Sequence, residues 1–441
     1  MLKTKIGVIA DDFTGGNDTG LQFSKQGALT GVFLNLSDID KALNEFDVVV
    51  LDTESRFDDK NTAFEKVLQA AQVLTQKGVL YIYKKLDSTM RGNIGAEIDG
   101  AIEGTCAKAA LVVPAMPSMG RTTIGGICYV NGIAVGQTEA ARDPKTPINI
   151  SDITAIIAQQ SKRPVQCIGI EEVQGLIETI TERIMSLINK GIEVIVIDAL
   201  SEDDLERIAK AVNKIDQHKV FVGSLGFAEY IGKALRIEDS KKQKSNCKRY
   251  KDKVSNRVVI AAGSVSEVTM AQVSYAIRER FVHVIDLNIE KIFNQREKEK
   301  LRIIAIAGRE LTAGKDIIIR SINNLDDVEK AHEISMKKGF DAFECSENIG
   351  IFFGDVIDRI CREFKPSGLV LTGGDVAIKV IKAMGVTGSI IKDEVLPGVA
   401  SGFFLSDEFG DIVFVTKAGA FGKEDALVKI IDFLKSSRKS S

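Results

Sequence analysis

Short apolar runs of strand length recur through the first half of the chain, at residues 6–10, 29–34, 48–51, 79–83 and 110–113. Between them, residues 19–26, 40–45, 60–76 and 94–102 carry apolar side chains at i, i+3 and i+4. That alternation predicts crossover connections and a parallel sheet with helices over both faces. After Pro117 the rhythm changes, and residues 122–137 read as short alternating strands around Asn131-Gly132. Such a pair suits a tight hairpin, so an insertion projecting from the sheet is expected. Strands are predicted again at 165–168, 194–198 and 220–222, with helices near 175–189 and 202–212. The first domain is therefore expected to span 1–236.

Residues 237–256 hold seven Lys or Arg and almost no large apolar side chain, which reads as a basic, solvated linker. Aromatic platforms for nucleic-acid bases are missing from it. A second rhythm follows over 257–441, with strands at 258–262, 282–286, 317–320, 368–371 and 412–415 and helices at 267–279, 326–338, 348–364 and 424–435. The predicted fold is α/β: two α/β domains with mainly parallel sheets, the N-terminal one carrying a β-hairpin insertion.

Composition excludes more than it selects. Of 441 residues, 44% are hydrophobic and 27% charged, and 58 Lys plus Arg nearly cancel 61 Asp plus Glu. No global field draws such a chain to nucleic acid or to an anionic membrane, so anion recognition must be local. No apolar stretch approaches the roughly 20 residues that span a bilayer, and the first ten residues read as a strand rather than a signal peptide. A cytoplasmic protein is expected. Cys106, Cys128, Cys167, Cys247, Cys345 and Cys361 form no C-x-x-C pair, which predicts reduced thiols and no structural zinc. His218, His283 and His332 lack nearby carboxylate, Ser or Cys partners, and none is assigned a catalytic role.

Chemistry concentrates at strand exits. The run Ile9-Ala10-Asp11-Asp12-Phe13-Thr14-Gly15-Gly16-Asn17-Asp18-Thr19-Gly20 lies where the first strand gives way to a helix. Ligands of open α/β sheets collect there. Three acids would repel a phosphate in that loop but suit hydroxyls or a metal; one of Asp18 and Thr19 could equally cap the helix. At the fourth strand exit, Lys85-Leu86-Asp87-Ser88-Thr89-Met90-Arg91 joins cations, a carboxylate and hydroxyls, as a ligand with both carboxylate and hydroxyl groups requires. Arg56 leaves the third strand at the same sheet edge. Arg121, after the Pro114 to Pro117 loop, leaves the fifth. In the second half, Gly263-Ser264, Thr372-Gly373-Gly374-Asp375 and Lys417-Ala418-Gly419-Ala420-Phe421-Gly422 each follow a strand, three Gly-containing exits with backbone donors free for phosphate. Neither G-x-x-x-x-G-K-[ST] nor G-x-G-x-x-G occurs, so the nucleotide fold is of another kind.

These residues also carry a resemblance. Through IADDFTGGNDTG, KKLDSTMRGNIGAE, PAMPSMGRTT with GGICYVNG, GSVSEVT, LTGGDVA, LPGVASG and TKAGAFG, in that order over nearly the whole length, the chain resembles the four-carbon acid sugar kinase family, formerly grouped as a domain of unknown function. The resemblance implies an N-terminal acid-sugar domain, a C-terminal nucleotide domain, and transfer of the ATP γ-phosphoryl to a terminal hydroxyl of threonate, erythronate or 3-oxo-tetronate. It implies substrate binding by Asp11, Arg56 and Lys85 to Ser88, and ATP binding by Ser264, Gly374 and Gly419 to Gly422. Val376 departs from the hydroxyl residue expected of many relatives.

Phosphoryl transfer needs positioning, charge neutralisation with Mg²⁺ on the phosphates, and a carboxylate to take the hydroxyl proton. Asp12 or Asp87 is the expected base, Lys85 and Arg91 face the substrate carboxylate or the moving phosphoryl group, and ATP sits on Ser264, Gly373, Gly374, Asp375, Lys417, Gly419, Ala420, Phe421 and Gly422. Metal ligands and homo-oligomerisation are left open. Two rivals remain at this stage, a nucleotide-dependent oxidoreductase on hydroxy acids and a non-catalytic metabolite-binding protein.

Overall fold

The computed structural model describes residues 3–37, 39–143, 146–237 and 256–436. The chain separates into two compact units, Met1–Gln243 and Lys244–Ser441. All of the expected linker except its two end residues, 237 and 256, lies outside the described residues.

In the first unit, β1 (Ile6–Ala10), β2 (Thr30–Phe33), β3 (Val48–Asp52), β4 (Tyr81–Lys85), β5 (Ala109–Val113), β9 (Val165–Ile168), β10 (Val194–Ile197) and β11 (Lys219–Gly223) lie in the order β2-β3-β1-β4-β11-β5-β10-β9. Every neighbouring pair is parallel. The central strands are buried along their whole length, because helices cover both faces and leave no position for a solvent-facing side chain. Helix Lys60–Gln76 starts on Asp59, whose side chain accepts from the Asn61 and Thr62 N–H groups. Its apolar stripe meets helix Ile94–Thr105 at two glycines. A Cβ on Gly100 would lie 2.6 Å from the Phe64 carbonyl oxygen, and one on Gly104 2.7 Å from the Leu68 carbonyl oxygen.

The insertion is a small antiparallel sheet, β6 (Arg121–Ile124), β7 (Ile127–Val130) and β8 (Ile133–Ala134). Asn131 and Gly132 both have positive φ, 51° and 79°, which is the geometry a two-residue hairpin turn needs between right-twisted strands. Buried Asp198 accepts from the Gly125 and Gly126 N–H groups at 2.5 and 3.0 Å and ties the β6–β7 turn to the parallel sheet.

In the second unit, β12 (Val258–Ala262), β13 (Val282–Asp286), β14 (Asp316–Arg320), β15 (Gly368–Thr372), β16 (Gly388–Leu396), β17 (Val399–Phe404) and β18 (Val413–Lys417) lie in the order β13-β14-β12-β15-β18-β17-β16. The first five positions of that order are parallel; β17 and β16 are antiparallel. The pattern reading missed β16 and β17. Lys392, Asp393 and Glu394 interrupt the apolar run, and register shifts on either side of Glu394 break the alternation that marks a strand. Helix Arg296–Thr312 was also not expected. The first helix, expected at 19–26, begins at Phe13, so the cap is Asp12 rather than Asp18 or Thr19.

No helix among the described residues is long and apolar enough to cross a membrane. Gly100→Ala forces a methyl into backbone contact and is expected to destabilise the first unit by about 1–3 kcal/mol. Chemical denaturation checks this, and an unchanged midpoint would contradict the packing described.

Candidate functional site

Sheet order locates the sites before any side chain is considered. In the first unit the chain moves from β1 to one side through β2 and β3, then crosses to the other side at β4. The carboxyl ends of β1 and β4 therefore flank a switch point, where helices on opposite faces leave a crevice. In the second unit β12 and β15 stand in the same relation, with β13 and β14 on one side and β18 on the other.

At the first switch point Asp11 and Asp12 leave β1, Lys85 ends β4, and Arg56 reaches over from the β3 exit. The Arg56 guanidinium spans both acids, Nε to Asp11 Oδ2 at 2.7 Å and Nη2 to Asp12 Oδ1 at 2.5 Å. Asp11 is 1% exposed. Burial alone pushes its carboxyl up, but Arg56, then Lys84 and Lys85, outweigh it and hold Asp11 below the usual 3.8. Asp12 also caps helix Phe13–Ser24, accepting the Gly15 N–H at 3.2 Å through the Oδ1 atom that binds Arg56. Its Oδ2 makes no hydrogen bond among the described residues.

Asp87 is held differently. Arg91 forks onto it, Nε to Oδ2 at 2.8 Å and Nη2 to Oδ1 at 3.1 Å, and the Thr89 hydroxyl and N–H donate to Oδ2. Burial pushes Asp87 up; Arg91 and Arg56 outweigh that and hold it well below the usual carboxylate range. A carboxylate so fully bonded is a poor proton acceptor. The remaining Arg91 nitrogen, Nη1, meets Asp143 at 3.0 Å.

Lys85 is 5% exposed, and among the described residues its ammonium makes no hydrogen bond or ion pair within 4 Å. A Cβ on Gly15 would lie 2.7 Å from its Nζ and 2.4 Å from Asp12 Oδ1, so glycine is what lets cation and carboxylate crowd the helix start. The other expected residues are placed less directly. Leu86 is 1% exposed, and its N–H is taken by the Gly223 carbonyl at 3.0 Å. Ser88 is half-buried, with its carbonyl accepting from the Cys128 thiol. Arg121 opens β6, donates to the Met119 carbonyl, and is shifted down by burial.

Spacing gave no signal for Asp52. It ends β3 in register with Ala10, is 5% exposed, accepts the Glu54 N–H at 3.0 Å through Oδ1, and leaves Oδ2 buried without a partner. Burial raises its carboxyl well above 3.8, with nearby Glu54, Asp12 and Asp11 adding to the rise.

At the second switch point three loops converge. A Cβ on Gly419 would meet Ser264 Oγ at 2.1 Å, and one on Gly373, whose φ is 97°, would meet Ser264 Cβ at 3.2 Å. The Gly373 N–H donates to the Lys417 carbonyl and the Gly263 N–H to that of Thr372. Gly373 offers helix Gly374–Ala383 no side-chain cap, and the first turn of that helix carries Asp375. Val376 packs onto Gly263, where a Cβ would come within 2.0 Å of its Cγ2; the departure noted in the sequence is filled by apolar packing.

Lys417 corrects an expectation. Instead of presenting a cation to phosphate, it is 0% exposed, and its Nζ donates to the carbonyls of Ala418, Gly419 and Phe421 at 2.9, 3.1 and 3.1 Å. Thr269 also donates to Gly419, and Gln272 to Phe421, Gly422 and Lys423. In a trans peptide the N–H points opposite to its carbonyl. Carbonyls 418, 419, 421 and 422 drawn inward therefore turn the N–H groups of Gly419, Ala420, Gly422 and Lys423 outward, a concave donor set suited to an anion. Phe421 is buried, its ring against Gly398 in the β16–β17 turn. Among the described residues no group of three or more His, Cys, Asp or Glu is gathered as metal ligands would be.

One switch point thus gathers buried charged side chains and the other loop peptides whose carbonyls are held from within. Known proteins match in the same order: residues 6–231 match a sugar-binding N-terminal domain and 259–427 a nucleotide-binding C-terminal domain. Solved structures from Salmonella typhimurium LT2 (21% identity, TM-score 0.77, covering 96% of this chain and 98% of the other) and Haemophilus influenzae (24%, TM-score 0.69, covering 97% and 100%) share the fold. The chain is 34% identical to a D-threonate kinase of Salmonella typhimurium over 434 residues, 98% of each chain. It is 30% identical to a D-erythronate kinase of Heliobacterium modesticaldum, covering 97% of this chain and 96% of the relative, and 27% identical to a 3-oxo-tetronate kinase of Haemophilus influenzae, covering 95% and 97%. Fold, site and relatives define an enzyme, a sugar-acid kinase. It belongs to the four-carbon acid sugar kinase family.

Two outcomes follow from this geometry. Gly15→Ala drives a methyl between Asp12 and Lys85; kcat/KM is expected to fall at least about tenfold with little change in melting temperature, since the strain falls on polar side chains at the crevice. Wild-type kinetics in a folded variant would contradict the crowding. Asp52 has a raised value, so it favours the folded state fully below 3.8, and that contribution is lost as pH rises toward its own value. Asp52→Asn mimics the neutral carboxyl. Its melting temperature is expected to exceed that of wild type at about pH 8 and to converge with it at acid pH.

Proposed function

We propose that this enzyme uses ATP with Mg²⁺ to phosphorylate the terminal hydroxyl of a four-carbon sugar acid (threonate, erythronate or 3-oxo-tetronate), giving its 4-phosphate. The observation that carries the reading is Lys85, a buried ammonium that makes no hydrogen bond or close ion pair among the described residues and lies beside Asp12 at the helix start, close enough to Asp11 and Asp87 to lower both, where an anionic ligand would supply a direct partner. Arg56 and Arg91 are spent on Asp11, Asp12 and Asp87, so they shape the crevice more than they neutralise a ligand.

Asp12 is the proposed base, through Oδ2. The substrate hydroxyl oxygen bonds the γ-phosphorus as the bond to the β-phosphate bridging oxygen breaks, ADP keeps that electron pair, and the hydroxyl proton passes to Asp12. The N–H groups of Gly374 and Val376 at the uncapped helix start and those of Gly419, Ala420 and Gly422 suit the phosphates, with the Ser264 hydroxyl where the loops meet. The fit for Mg²⁺ is that of an ion brought in by nucleotide phosphates, with Asp375 the nearest acid to the loop donors, rather than one held in a protein cage. Bound there, it would neutralise charge on the phosphates.

A coupled ADP-release assay over D-threonate, D-erythronate and 3-oxo-tetronate tests the reading: at least one acid is expected to give Mg²⁺-dependent turnover, and none doing so would overturn it. Asp12→Asn is expected to lower kcat by about 10²–10⁴-fold while acid binding persists. An unchanged kcat would remove Asp12 from the role.

A further inference from the structure

Beneath the acid crevice lies a second set of charges that no ligand can touch. Lys84 and Glu97 are each 1% exposed and pair at 2.8 Å through Nζ and Oε2. The other oxygen of Glu97, Oε1, accepts from Ser55 Oγ at 2.6 Å. Ser55, fully buried, is also within 2.7 Å of Thr53 Oγ1, which lies 2.8 Å from the Ala10 carbonyl at the end of β1. Asn93, immediately before helix Ile94–Thr105, donates to the Ser55 carbonyl at 3.0 Å. Lys84 Nζ also donates to the Lys85 carbonyl at 2.5 Å. The carboxylate of Glu97 thus joins the exits of β3 and β4, next to the strand that bears Asp11.

Burying an ion pair is costly, and a pair of apolar residues would fill the space at least as well, so stability alone is a weak reason to keep this one. Its geometry points to placement. Arg56 must reach Asp11 and Asp12 together from an irregular segment, residues 53–58, in which Glu54 has a φ of 48°. Thr53 and the Arg56 N–H tie that segment to the carbonyls of Ala10 and Asp11 and Asn93 holds the carbonyls of Ser55 and Asp58, while its bond to Glu97 runs through the Ser55 hydroxyl.

We propose that Glu97 is a positioning residue for the acid-binding crevice: with one oxygen on Ser55 and the other on Lys84 it fixes the segment carrying Arg56 relative to the strand end carrying Lys85. This rests on the acid being bound at that crevice. Glu97 acts on one substrate only, the acid, and has no bond to any nucleotide-loop residue.

Two variants test it. Glu97→Gln keeps an acceptor for Ser55 but sets an amide against Lys84; Ser55→Ala removes the loop-side bond and leaves the ion pair. In each, KM for the acid is expected to rise roughly 3- to 10-fold, the size of one lost positioning hydrogen bond, while KM for ATP stays within twofold of wild type. Loss of stability alone would lower the active fraction and leave both KM values unmoved. Amide exchange of residues 53–58 is expected to accelerate in both variants while β1 and β4 stay protected. If Glu97→Gln fails to fold, Ser55→Ala decides. Unchanged acid KM and unchanged exchange in a folded variant would overturn the inference. A wild-type enzyme inactive on every four-carbon acid would instead sink the functional reading, and exchange alone would then decide the role of Glu97.

Discussion

Arg56 donates to two carboxylates at once in a place from which water is nearly excluded, and the acid crevice depends on that arrangement. Burial favours the neutral form of Asp11, and Arg56, then Lys84 and Lys85, outweigh it and hold the carboxyl below its usual value. With Arg56 in place it remains a carboxylate, Asp12 keeps one oxygen exposed, and the start of the first helix stays open enough for Lys85 to lie against Gly15. The crossover at β1 and β4 brings these residues to one edge, and the buried Lys84–Glu97 pair lies beneath them.

The second unit meets the same requirement by other means. Lys417 is turned inward, where it organises carbonyls so that the opposite faces of the same peptides become donors. This gives the KAGAFG run a physical meaning. The glycines allow close approach to Ser264, Phe421 anchors the loop against Gly398, and the lysine sets the direction of the backbone dipoles. A dipole-built site suits a nucleotide that brings its own metal ion and must leave again as ADP.

Much of the architecture was legible because it rests on period and punctuation. Helix Lys60–Gln76 and strands β1, β12 and β13 fall where apolar spacing put them, and Asn131-Gly132 turns as that dipeptide must. Strands β16 and β17 were not legible, since bulges around Glu394 destroy the alternation and only pairing with β18 makes sense of them. At the sites, residue types at strand exits were enough to nominate Asp11, Asp12, Arg56, Lys85 and Asp87. Their division of labour was not, because pairing is a property of space: nothing in the sequence says that Arg91 closes off Asp87 while Lys85 stays uncommitted. Asp52 and Glu97 were silent for the same reason, each looking like an ordinary acid until its burial is known.

The central claim is that the buried Lys85 ammonium supplies a direct positive contact for the acid substrate. Calorimetric titration of nucleotide-free enzyme with D-threonate, D-erythronate and 3-oxo-tetronate, comparing wild type with Lys85→Met, tests it most directly. The account predicts that whichever acid binds wild type loses at least about tenfold in affinity to a variant that melts normally, because a buried charge-assisted contact is gone. A folded Lys85→Met enzyme that binds the acid as tightly as wild type would contradict it.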